Sequence, residues 1–120
     1  MTEDKVNIGL SIEANRIADA LEETRYFDDK LTIAKFALAY AIKNDIDKNL
    51  ADYKVEDTGG TKWNIGSVDS DQYLRDLIMS LYPESETPYR YIEALMNIGL
   101  LSIGKTLNNF NISISKLIDG

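Results

Sequence analysis

The sequence predicts a mainly α protein, a four-to-five-helix bundle that starts with a short β-strand. Apolar residues recur at spacings of three and four through most of the chain, the period of helices with one buried face. Period-two alternation marks Lys5 to Leu10 near the N-terminus. Ser, Asp and Thr stand where helices would begin, and the chain's two prolines fall at helix boundaries. The 120 residues fit one domain, divided into a strand-helix-helix module (1–52), a glycine loop (53–68) and a C-terminal helical part (69–120).

Taken in order, Lys5 to Leu10 places Val6, Ile8 and Leu10 on one face of a strand and Lys5, Asn7 and Gly9 on the other. Ser11 caps a helix over Ile12 to Thr24, with Ile12, Ile17, Ala18 and Leu21 inward. Asp28 or Asp29 caps a second helix, Lys30 to Lys43, where Leu31, Ala34, Leu38 and Ile42 form a stripe widened by Phe36, Ala37 and Ala41. Such a helix is expected to be buried on several sides, in this chain's core or against another copy. Gly59, Gly60 and Gly66 mark a loop or loose hairpin that admits a short second strand around Trp63 and Ile65, with Trp63 pinning it to the core. Asp69 or Ser70 caps a third helix that carries Tyr73, Leu74, Leu77, Ile78 and Leu81 and that Pro83 ends. Thr87 and Pro88 then open a strongly apolar, central helix through Ile103, as N-cap and first helical residue. Gly99 and Gly104 either admit a close neighbour or mark that helix's end. The tail, 108–120, fits a strand or a helix equally.

Thirteen Lys and Arg against twenty Asp and Glu give a charge of −7, and the acidic excess is spread over both halves. That sign opposes general nucleic-acid binding, so any DNA contact would be local. The start is acidic, and no apolar run approaches the roughly 20 residues that span a bilayer; a cytoplasmic protein without membrane contact is expected.

Cys and His are both absent, which excludes thiol nucleophiles, Cys/His zinc sites, disulfides and imidazole bases. The carboxylate groups Asp28-Asp29, Asp45 with Asp47, and Asp69 with Asp71 read as helix caps and solvated helix ends. Asp57 to Lys62, with two glycines and a lysine, lacks the spacing of a phosphate-binding loop and reads as a surface turn. No catalytic residue, metal or cofactor is expected. Tyr82, Tyr89 and Tyr91 with Arg90 form a cluster around Pro83 and Pro88 of the kind found in binding hot spots and equally at helix ends packed on the rim of a core. Two helices apolar nearly all round exceed what one small core covers, so self-association is expected through Phe36, Leu38 and Ile42 or through Met96 and Leu100.

The order of strand Lys5 to Leu10, cap Ser11, helix, short turn and helix from Asp29 resembles a ribbon-helix-helix module over roughly the first 45 residues. The resemblance implies a dimer whose paired strands enter the DNA major groove. Lys5, Asn7 and Gly9 would then be the outward strand residues, and Lys30 would stand at the second helix start, where Asp28 and Asp29 repel phosphate. Ser11 to Ile42 also looks like the DndE-type proteins, small bacterial subunits linked to DNA sulfur modification. That resemblance implies a helical oligomer accompanying a larger DNA-processing or defence assembly. The leading expectation is therefore a non-enzymatic, self-associating accessory subunit with a larger protein partner; the alternative is a dimeric DNA-binding regulator of ribbon-helix-helix type.

Overall fold

The computed structural model describes residues 4–44, 59–83 and 86–110. Along them run strand β1 (Asn7–Gly9), helices α1 (Ile12–Glu23) and α2 (Lys30–Lys43), strand β2 (Lys62–Asn64), and helices α3 (Ile65–Val68), α4 (Tyr73–Leu81) and α5 (Pro88–Phe110). The protein is mainly α, with a two-stranded antiparallel sheet near its N-terminus.

The most apolar stretch of the sequence becomes the centre. From Ile92 to Asn97 every residue of α5 is buried, as are Leu100 and Ile103. α2, α1, α4 and β1 all pack on it, α2 most extensively. The inner side of α2 is Ile33, Ala34, Ala37, Leu38 and Ala41, and that of α1 is Ala14, Ala18 and Leu21. These alanines keep both helices close to α5. The two glycines of α5 serve the same end: a Cβ on Gly99 would lie 2.7 Å from the Ala37 carbonyl carbon, and one on Gly104 would lie 2.6 Å from Ile17 Cδ1. Both glycines admit a neighbouring helix, and α5 continues past them to Phe110.

Local chemistry sets most boundaries. Ser11 caps α1 by accepting from the Ala14 N–H at 3.0 Å, and Asp29 caps α2 by accepting from Thr32 at 2.8 Å. Asn64 accepts from Ser67 at 2.8 Å, which turns the chain into α3 at Ile65 and ends β2 one residue before the expected alternation does. Pro88 is the first residue of α5, as expected. The amides of Tyr89 and Arg90 are met by the Asp4 carboxylate at 2.9 and 3.0 Å, so the first turn of α5 is capped from the other end of the chain.

Two inward assignments change. Val6 is 76% exposed and Ile12 is 51% exposed, because both lie at element ends beyond the reach of the core. Trp63 packs against the core opposite Ile8, which anchors the loop as expected. Asp45, Asp47, the loop residues 53–58 and the tail 111–120 lie outside the described residues.

Candidate functional site

The polar residues that could carry chemistry or recognition converge on β1 and the first half of α5. Antiparallel pairing sets Ile8 opposite Trp63. Flanking bonds run from the Ile65 N–H to the Val6 carbonyl at 3.2 Å and from the Leu10 N–H to the Thr61 carbonyl at 2.9 Å. Even-numbered residues therefore turn their backbone toward β2, and Gly9 turns its N–H and C=O the other way.

α5 meets that outer edge. Glu93 accepts from the Gly9 N–H at 2.9 Å, and Asn97 Nδ2 donates to the Gly9 carbonyl at 3.0 Å. Asn97 also accepts from the Ser11 N–H at 2.8 Å and donates to the Glu93 carbonyl at 2.8 Å. The same Glu93 oxygen, Oε2, forms an ion pair with Lys5 at 3.0 Å. At Gly9 both edges of β1 are thus occupied within one chain, by β2 and by α5.

The second polar centre joins α4 to α5. Asp69 is 4% exposed and accepts from the Leu74 and Arg75 N–H groups, both at 2.9 Å. It also accepts from the Tyr89 hydroxyl at 3.0 Å. Burial, and then the bond and charge of Asp69, push the Tyr89 pKa up to about 12. Asp71 accepts from the Tyr73 N–H at 3.1 Å. At α2, the backbone and hydroxyl hydrogen bonds from Thr32 hold the Asp29 carboxyl below its ordinary value. Asp29, Asp69 and Asp71 thus act at helix starts, as the sequence suggests.

The residues proposed for DNA contact are placed as follows. Asn7 is exposed. Lys5 is held by Glu93, and Lys30 pairs with Asp19 at 2.5 Å and donates to the Thr61 hydroxyl at 3.2 Å. Gly9, expected to face outward, is buried because α5 covers it. Lys5, Asn7 and Lys62 line a shallow cleft of about 360 Å³, but Asp4 and Glu93 line it too, so its lysines are matched by carboxylates.

The proposed interface residues divide. Leu38, Met96 and Leu100, expected to meet another copy, are core residues of the single chain, at 3, 0 and 0% exposure. That assignment is corrected: α2 and α5 cover each other. Phe36 and Ile42 are half-buried, and Phe36 stacks between Phe27 and Tyr40 at centroid distances of 5.3 and 6.4 Å. Tyr89 is bonded to Asp69, Arg90 is exposed, and Tyr91 packs on Tyr82 at 5.5 Å.

Sequence reasoning missed Asp4, Glu93 and Asn97. A signal for the last two was present, since they are the polar pair, four residues apart, inside the apolar run from Tyr91 to Ile98. Asp4 carried none, because the α5 amides it caps are more than eighty residues away. Among the described residues, no three carboxylates gather as a metal site would require, and no helix is long and apolar enough to cross a membrane. Comparison with protein-family models, curated proteins and solved structures returns no match.

Proposed function

We propose that this protein is a non-enzymatic, self-associating accessory subunit that docks onto a larger protein partner. The observation that carries the reading is on α4. Tyr73, Leu77 and Leu81 repeat at intervals of four along one side of the helix; Tyr73 and Leu81 are exposed and Leu77 is half-buried. An apolar ridge left at the surface is a common mark of a protein interaction site. The structural duties of the buried carboxylates support the same reading, since Asp69 uses both oxygens on backbone amides and a tyrosine hydroxyl, and Glu93 uses Oε2 on the Gly9 N–H and Lys5. The resemblance of Ser11 to Ile42 to DndE-type subunits favours a DNA-processing or defence assembly as the setting, and the acidic charge of −7 favours contact with protein over direct contact with DNA.

The deciding experiment is the mass in solution by light scattering, with and without a short duplex, at low and moderate salt. The expected result is a species heavier than the 13.5 kDa chain whose mass ignores the duplex. A species that takes up one duplex and releases it as salt rises would replace this reading with the ribbon-helix-helix regulator.

A further inference from the structure

We infer that the groove between α1 and α5 is closed by a second copy of the chain, packed about a two-fold axis with the two α5 helices antiparallel. The inference rests on the self-association proposed above and gives it a surface. Beyond Asn97 the burial of α5 becomes one-sided: Ile98, Leu101 and Ser102 are half-buried and Lys105 is exposed. Their spacing of three, four and seven puts them on one face. Ile17 of α1 forms the facing wall, drawn in against Gly104, and Glu13 closes the rim of a groove of about 580 Å³.

The charges of this groove are arranged to complement themselves. α1 runs parallel to α5, because Ser11 lies at Asn97 and Ile17 at Gly104. Glu13 therefore stands at the Ile98 end of the groove and Lys105 at the other. Two α5 helices crossing antiparallel at a point between Leu101 and Ser102 set each Leu101 against the partner's Ser102, a large side chain against a small one. The same crossing carries the partner's Lys105 over Ile98 to Glu13. The two-fold axis repeats every contact, so one groove supplies the acid, the base and the apolar floor of an isologous interface. Both charges are available for it: Glu13 holds only an exposed ion pair with Arg16 at 3.1 Å, and Lys105 enters no ion pair among the described residues.

The test is sedimentation equilibrium on the full chain and on three variants, Glu13→Lys, Lys105→Glu and the double exchange. Both positions are exposed, so folding is preserved. Each single reversal breaks two pairs per dimer and should raise the dimer Kd about tenfold, and the double exchange should return it to within about threefold of the original. A second readout uses the absence of native cysteine: Ser102→Cys, close to the axis, should form a covalent dimer on oxidation, whereas Ala39→Cys on the exposed side of α2 should not. A dimer that ignores both reversals and fails to crosslink through S102C associates by another surface, which overturns the groove and leaves the proposed function standing. A protein that is monomeric at every concentration overturns both.

Discussion

Asn97 holds a fully buried position on α5 and bonds to three separate backbone groups, the Gly9 carbonyl, the Ser11 N–H and the Glu93 carbonyl. Replacing it by leucine keeps the branched heavy-atom skeleton but strands Gly9 and Ser11, and a buried polar group without a partner costs about 1–3 kcal/mol. Asn97→Leu should therefore lose about 2–4 kcal/mol in urea unfolding. Glu93→Gln retains the acceptor for Gly9 and loses only the pair with the partly exposed Lys5, a cost of about 1 kcal/mol or less. Equal losses in the two variants would deny Asn97 its special place. Tyr89 gives a second test at this scale. Its folded pKa of about 12 lies above the ordinary 10.0, so its contribution is complete below pH 10 and fades as pH rises from 10 toward 12. Tyr89→Phe should be less stable than the parent at neutral pH, with the gap closing across that window when unfolding is followed by circular dichroism. A gap of constant size would mean that the hydroxyl bond to Asp69 contributes nothing.

The contact between α2 and α5 is a close approach of two backbones, made possible by Ala37 on one helix and Gly99 on the other. Alanine favours a helix over glycine by up to about 1 kcal/mol, so the intrinsic effect of Gly99→Ala is stabilising. The packing effect opposes it, because the new methyl would meet Ala37 backbone atoms, which cannot swing aside as a side chain can. Overpacking of this kind costs about 1–3 kcal/mol, and a net loss is expected at the urea midpoint. Gly66→Ala, where the nearest atom is Asn64 Oδ1 at 3.4 Å, should be near neutral. A Gly99→Ala protein as stable as the parent would show that the helices stand farther apart. The elements themselves were largely legible in the sequence because their signals are local: Ser11, Asp29 and Pro88 act within one turn of the residues they position. What covers each element was not legible. Periodicity shows how many sides of α2 and α5 are apolar, but the same pattern serves a helix buried by its own chain and one buried by another copy. Leu38, Met96 and Leu100 were misplaced for that reason, while Gly9 was misplaced because the side chains that cover it come from α5.

For the whole molecule, salt separates the readings by the sign of its effect. Two copies that associate each carry a charge of −7, and their repulsion reaches about 30 Å at 0.01 M ionic strength but only about 8 Å at 0.15 M. The apolar floor of the groove, Ile17, Ile98 and Leu101, is nearly indifferent to such changes. Exposed pairs between Glu13 and Lys105 would weaken with salt, but each is worth about 1 kcal/mol or less. Relief of the net repulsion should dominate, so self-association is expected to tighten from 0.01 to 0.15 M. Because a dimer stabilises its folded chains by mass action, the Tm should rise with protein concentration, and more steeply at the higher salt. DNA binding behaves in the opposite way, since displaced counterions make its affinity fall as salt rises. A Tm that depends on protein concentration only at low salt would place the attraction in charged contacts, and the apolar groove would then not be the surface that joins the copies.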